Sequence, residues 1–429
     1  MWRIRAILLR MAKHICAETV SLGCKNSYYL LRMIQLAIIG AGDRTRKYLD
    51  YIRLIPHRVR VAAIAEPNEQ RLRQLASEFS LSPAVCFMDW EELLDAHLCI
   101  DAAIIATPDH LHFAPAIGAL RRNWHLLLEK PVAQSWEACS QIQQLARKLN
   151  RIVGVCHVMR YYPAYKALKE RVESGALGTL ISINHREPIG IDRMTHAFVR
   201  GIWNKVSASN PLILSKTCHD LDLICWLANA RCAKVASFGS LRWFRKENAP
   251  AGSALRCLDC SIEKECRFSA VDLYLRRREW LRHFDVTDED SLRDTLAHSP
   301  YGRCVYHCDN DVVDHQNLIM EFRNGIRATL TLDAFTTDKE RTTHVMGTEG
   351  EVKCTETGFV HIDFKTGQEE VMTFSTSDDC GSYHYGSDHF LLEDFISAIE
   401  QNHPMVADLA GCLESHRIAF WAEENRNKE

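Results

Sequence analysis

Ile34-Gln35-Leu36-Ala37-Ile38-Ile39-Gly40-Ala41-Gly42 is the stretch that decides the fold: an apolar run of strand length, closed by a turn with two glycines. In a dinucleotide-binding turn the first glycine makes the bend. The second lets the main chain approach a pyrophosphate at a helix N-terminus, and a third lets the helix pack on the strand. Gly40 and Gly42 fill the first two places, and with Asp43 and Arg44, which open the helix that should follow, they are expected to bind the cofactor, as are Glu129 and Lys130 further on. Thr45 stands third, where its branched side chain is expected to loosen the packing. Taken alone, Gly-x-Gly after a strand is equally consistent with a plain turn.

Working outward, short apolar strands are expected at Val59–Ala65, Ala102–Ala106, His125–Leu128 and Ile152–Cys156, with helices at Arg71–Phe79, Phe113–Arg121 and Ser135–Leu149. Near-continuous apolar strands alternating with helices predict a parallel sheet covered on both faces, a doubly wound Rossmann domain over residues 33–157. Glu66 ends the second strand, where an acidic residue meets the adenosine ribose hydroxyls and repels a 2′-phosphate, which favours NAD over NADP. Arg71 could instead serve a 2′-phosphate, and the plain alternative for Glu66 is a solvated carboxylate. A second strand-end loop, Ala106 to His112, predicts cofactor contacts through Thr107, Pro108 and His112; a helix-start turn without chemistry is the other reading. Glu129-Lys130-Pro131 follows a later strand and hangs a lysine at the same carboxyl edge.

After about residue 160 the texture changes to alternating strands with hairpin signals at Asn324-Gly325 and Thr366-Gly367 and a further turn over Gly347–Gly350. The fold class is therefore α/β: the Rossmann sheet, then an α+β domain over 158–429 with a large, mostly antiparallel open sheet. Two helices, His389–Glu400 and Leu409–Glu424, should close it. The chain has 429 residues, 47% hydrophobic and 25% charged, and a formal net charge of -3, which argues against a nucleic-acid or anionic-membrane partner. No apolar stretch approaches the roughly 18 residues that span a bilayer. The 17 cysteines are spread through apolar runs rather than set as a disulfide framework, which points to a reducing, cytoplasmic setting. Residues 1–32 are basic, carry no secretory leader pattern and precede Met33, so they read as a loose extension or a misplaced start.

Gly40-Ala41-Gly42, Ala106-Thr107-Pro108, Glu129-Lys130-Pro131, Gly175-Ala176-Leu177-Gly178, His219 with Asp222, and Gly347-Thr348-Glu349-Gly350 together resemble the Gfo/Idh/MocA family, that is, glucose-fructose oxidoreductase, inositol dehydrogenase and rhizopine catabolism proteins. The likeness runs in order from about Met33 to about Asn425. It implies an NAD- or NADP-binding N-terminal domain and a C-terminal sheet that forms the substrate site and the homo-oligomer interface. Substrates would be sugars, cyclitols or their acids. It also implies that Lys130 contacts the reacting hydroxyl and that Pro131 follows a cis peptide.

Independently of the family, oxidising an alcohol sends a hydride to nicotinamide and a proton to a base. His219 suits proton transfer because imidazole titrates near neutrality, and Lys130 suits polarising the oxygen. The family usually has an aspartate one helical turn before this histidine; here Ser215 stands there, followed by Lys216. Lys216 is therefore expected to take over substrate binding, with Asp220 nearby; Arg160, Arg200 and Trp203 are further pocket candidates, equally consistent with ordinary surface or packing roles. Two other readings remain: a redox-assisted glycoside-cleaving enzyme, in which hydride transfer is transient, and a dinucleotide-binding sensor or scaffold without catalysis.

Cys257, Cys260 and Cys266 form a C-x2-C-x5-C pattern in a polar insertion over about 250–308, and Cys304 and Cys308 follow. A short C-x2-C brings two thiolates onto one ion and a distant cysteine can complete the shell, so Cys257, Cys260, Cys266 and Cys308 are a candidate structural zinc site. Free thiols in a loop ordered by Trp280 and the Tyr301 region are the alternative.

Overall fold

The computed structural model describes residues 32–337, 340–374 and 384–426, so residues 1–31 of the expected N-terminal extension lie outside the described residues. The chain divides into two compact units, the first running to Tyr162 and resuming up to Leu413, the second holding the intervening chain and the C-terminal segment.

In the first unit six strands, β1 (Ile34–Ile39), β2 (Val59–Ala65), β3 (Cys86–Phe87), β4 (Ala102–Ile105), β5 (His125–Leu128) and β6 (Val153–Val155), form a parallel sheet ordered β3-β2-β1-β4-β5-β6. The order reverses between β1 and β4, which makes their carboxyl ends the ligand-binding edge. The helices are α1 (Asp43–Ile52), α2 (Glu69–Glu78), α3 (Trp90–Asp95), α4 (Phe113–Arg121) and α5 (Trp136–Leu149). Asn68 and Ser135 cap α2 and α5 by accepting main-chain N–H bonds, and α5 stops at Asn150, which turns left-handed at φ 51°. The two-residue β3 and the acidic α3 carry too little periodicity to be read from sequence.

A late helix, α10 (Ser387–Gln401), also belongs to this first unit, although the sequence places everything beyond residue 157 in the second domain. Its attachment is ionic and remote in sequence. Arg58 reaches Glu393 and Glu400 at 2.7 Å each, Tyr51 Oη donates to Glu393 at 2.5 Å, and Tyr161 Oη to Asp394 at 2.6 Å.

The second unit holds an eight-stranded sheet ordered β14-β13-β12-β11-β7-β10-β9-β8. Its strands are β7 (Leu180–Pro188), β8 (Cys232–Ser240), β9 (His315–Phe322), β10 (Arg327–Asp333), β11 (Thr342–Gly347), β12 (Gly350–Thr355), β13 (Gly358–Asp363) and β14 (Glu369–Thr373). All pairs are antiparallel except β7 with β10. Residues alternate between buried and exposed along β9, β10 and β11, as expected for a sheet with one covered face. Helix α6 (Pro163–Glu173) opens this unit and α11 (Leu409–Arg426) closes the described chain.

The segment from Leu212 to Ala228, which carries His219, is not one continuous helix. A single turn, Leu212–Ser215, is followed by α7 (Cys218–Ala228), because Thr217 leaves the helical region at ψ 13° while its hydroxyl donates to Ile213 O at 2.7 Å. The insertion between β8 and β9 contains α8 (Ala270–Arg276) and α9 (Glu289–His298). It is less polar inside than its composition implies: Tyr274, Leu281, Leu292 and Leu296 are fully buried together and give it a core of its own.

Candidate active site

Gly40 adopts φ +88°, and a Cβ there would stand 2.7 Å from Ala106 O, so only glycine lets the β1 turn lie against the β4 loop. Gly42 has the opposite character: a Cβ there would meet nothing within 4 Å, and no side chain caps the N-terminus of α1. Its open backbone face is the cradle a pyrophosphate needs. Thr45 corrects the expectation of a loosened contact, since it is wholly buried and its Oγ1 donates to Gly40 O at 2.6 Å, closing the turn that a third glycine would only accommodate. Glu66 is not a solvated carboxylate. It is 5% exposed and accepts the Ala41 N–H at 2.6 Å and the Asn68 N–H at 2.9 Å, so it braces the turn from the β2 end. Asp43 sits half-buried in the first turn of α1.

At the same edge, Thr107 Oγ1 donates to Leu111 O at 2.9 Å. The buried His112 ring sits between two loops, Nδ1 at 2.6 Å from Pro131 O and Nε2 at 2.9 Å from Thr107 O, and so pins the Thr107-Pro108 loop to the Lys130 loop. The Lys130–Pro131 peptide is cis. Lys130 donates its main-chain N–H to Glu129 Oε2 at 3.1 Å. Glu129 is buried and receives Arg44 Nε at 2.7 Å and Tyr48 Oη at 2.5 Å. Burial alone would raise its carboxyl, but Arg44 and Tyr48 more than reverse that and hold it below the usual carboxylate range. Arg44, expected on the cofactor, is committed instead to Glu129 and to Asp388 of α10, at 2.6 Å, because two buried carboxylates require a shared cation.

In the second unit, His219 lies half-buried in the first turn of α7, and Ser215, at the usual aspartate position, donates its hydroxyl to Asn210 O at 3.3 Å. Around them lies a buried charge network. Arg341 approaches Glu187 at 2.6 Å and Asp220 and Glu356 at 2.7 Å each; His185 Nε2 lies 2.8 Å from Asp220; Lys216 Nζ lies 2.7 Å from Glu187. Asp220, expected near substrate, is fully buried, and its Oδ1 takes both Arg341 and His185 while Oδ2 is left without a hydrogen-bond partner; burial opposes its ionisation, but Arg341 and then His185 overcome that and keep its carboxyl well below the usual range. Lys216 retains a side-chain exposure of 25%, and its ammonium is pulled below the ordinary lysine value, chiefly by burial. Glu187, His185 and Arg341 were missed by sequence reasoning. A signal existed: Ile183, His185 and Glu187 share the buried phase of β7, and two polar residues in an inward register ask for a partner.

Three pocket candidates are corrected. Arg160 is buried and donates to Val406 O at 2.7 Å and Gly411 O at 3.0 Å, a main-chain tie rather than an open guanidinium. Arg200 is 1% exposed, bound to Arg303 O and Phe268 O at 2.7 and 2.6 Å, and Trp203 packs against Phe198 beside it, so both belong to the core under the insertion. Among the described residues, no three of Cys257, Cys260, Cys266, Cys304 and Cys308 hold their sulfurs within 4.8 Å of one another.

Residues 34–157 match the family model described as the oxidoreductase family with an NAD-binding Rossmann fold, and residues 165–353 match the model of the Gfo/Idh/MocA C-terminal domain. An inositol 2-dehydrogenase of Corynebacterium glutamicum is 28% identical over 207 residues, which are 48% of this chain and 57% of that protein. The chain thus spans little more than half the length of that curated relative. Among solved structures, an oxidoreductase from Agrobacterium radiobacter in complex with NAD+, L-tartaric acid and magnesium superposes with a TM-score of 0.67 at 13% identity, over 92% of this chain and 96% of that one. An apo scyllo-inositol dehydrogenase from Lactobacillus casei gives 0.62 at 17% identity, over 93% and 97%. These superpositions establish the shared fold. No described helix is long and apolar enough to cross a membrane.

Proposed function

Because the chain belongs to the Gfo/Idh/MocA oxidoreductase family, we propose that it transfers a hydride between a nicotinamide dinucleotide and a hydroxyl or carbonyl of a sugar, cyclitol or sugar acid. The observation that carries the proposal is the carboxyl edge of the first sheet, where the uncapped, unobstructed Gly42 turn and the Lys130 loop end strands of one parallel sheet. A bound nicotinamide supplies the hydride acceptor or donor. Lys130 polarises the substrate oxygen, and His219 takes or returns the hydroxyl proton. Lys216, still partly open to solvent, contributes a cation to a carbonyl or carboxylate of the substrate. Glu66, fixed at the end of β2, supports NAD over NADP by repelling a 2′-phosphate. The exposed apolar residues Ile181, Phe238 and Ile319 on the second sheet support self-association through that sheet.

Nicotinamide absorbance tests the reading in a screen of sugars, cyclitols and uronates with both cofactors. One substrate should turn over with net cofactor consumption, faster with NAD, and K130A or H219A should lower kcat by on the order of 100-fold or more. Full turnover by either variant would remove the assigned roles; product without net cofactor consumption would replace the dehydrogenase with the redox-assisted route.

A further inference from the structure

The insertion holds a buried cation with no carboxylate. Arg200 is 1% exposed, and among the described residues no Asp or Glu pairs with it; its Nη1 is buried without a hydrogen-bond partner. Its Nη2 donates to Phe268 O at 2.6 Å and lies 3.8 Å from Cys257 Sγ. An ionised group out of water without a counter-charge costs several kcal/mol, roughly, even after relaxation. The side chain that Arg200 reaches is a sulfur. Cys257, Cys260, Cys266 and Cys304 line one small cavity of about 10 Å³, closed by Phe268, Val305 and Tyr306.

We propose that this cavity is a structural zinc site with Cys257, Cys260, Cys266 and Cys304 as its four ligands. A divalent ion displaces the four thiol protons to solvent, and the resulting tetrathiolate centre carries two net negative charges, of which Arg200 offsets one. The Ala270 N–H, 3.4 Å from Cys257 Sγ, already points a donor at the sulfur, as the surroundings of a metal thiolate require. The cavity is of the size that one ion or one water occupies. In this structure no three of these sulfurs lie within 4.8 Å of one another, so binding draws them together around the ion. The ligand set differs from the one read from spacing: Cys304 lines the cavity and Cys308 does not. Four thiolates leave no open position, so the ion staples the insertion and takes no part in chemistry.

Metal analysis of the full chain purified without chelator should find about one zinc per chain, and C260S should lower that at least about ten-fold while C308S keeps it. Should C260S fail to fold, cobalt substitution of the unaltered chain gives a second readout, with sulfur-to-metal charge-transfer bands expected. Absence of near-stoichiometric zinc, retention of zinc in C260S, its loss in C308S, or cobalt without sulfur bands would each overturn the proposal.

Discussion

Replacing Arg341 by methionine isolates the buried charge network. Arg341 touches all three of Glu187, Asp220 and Glu356, at 2.6 to 2.7 Å, with a side-chain exposure of 13%. Methionine fills much of the same space but leaves Glu356 without this cation, Asp220 with His185 alone, and Glu187 with Lys216 alone among these partners. Removing one partner of a buried ionic cluster costs about 3–5 kcal/mol. For a unit of this size each kcal/mol lowers the melting temperature by roughly 2–4 °C, so a fall of about 6–20 °C is expected at neutral pH. The pH dependence has a definite sign. In the unaltered chain Asp220 ionises below its ordinary range because Arg341 outweighs burial, so its contribution persists well into the acid range. Without Arg341, burial lifts the folded carboxyls above their unfolded values; they then bind protons first in the fold, and acidification relieves the variant. Thermal melts by circular dichroism should therefore show the gap narrowing between about pH 7 and about pH 5. An R341M variant that melts with the unaltered chain, or whose deficit stays constant with pH, would refute the reasoning.

The two turn glycines should separate. G40A forces φ +88° on an L-residue and drives Cβ to 2.7 Å from Ala106 O, so both melting temperature and NAD affinity should fall, by roughly 1–2 kcal/mol for the backbone alone. G42A meets nothing within 4 Å, so it should keep the melting temperature while weakening NAD binding in a titration; unchanged affinity would place the pyrophosphate elsewhere. His125 and His196 are lowered to about 4 and about 3, by burial first and then by Arg151 in one case and by Arg193 and Arg200 in the other. The unfolded chain therefore takes up these protons before the fold does, and urea midpoints should drop as pH falls from about 6.5 toward about 4.

Much of the first unit is legible because its strands and turns are local signals. The β1 run, the Gly40 and Gly42 turn and the Lys130 loop each sit where spacing places them, and the hairpins at Gly325 and Gly367 lie at left-handed φ values of 88° and 68°. What escaped depends on partners far away in the chain. Nothing in Arg44 distinguishes a phosphate ligand from a bridge to Glu129 and Asp388, and nothing in Arg200 or Arg160 separates a pocket wall from a donor to buried carbonyls. Thr45 shows the reverse case, where a departure from the glycine pattern is repaired by a hydroxyl that closes the same turn.

The return of α10 to the first unit has a consequence for biosynthesis. On the ribosome the dinucleotide-binding half emerges first, yet the acids that pair with Arg58, and the second of the two that hold Arg44, are made only after the whole second sheet has been translated. The nascent N-terminal sheet carries Arg58 without these acids, and Arg44 with Glu129 alone, until more than two hundred further residues have followed; completion of the first unit is thus tied to a late event in synthesis.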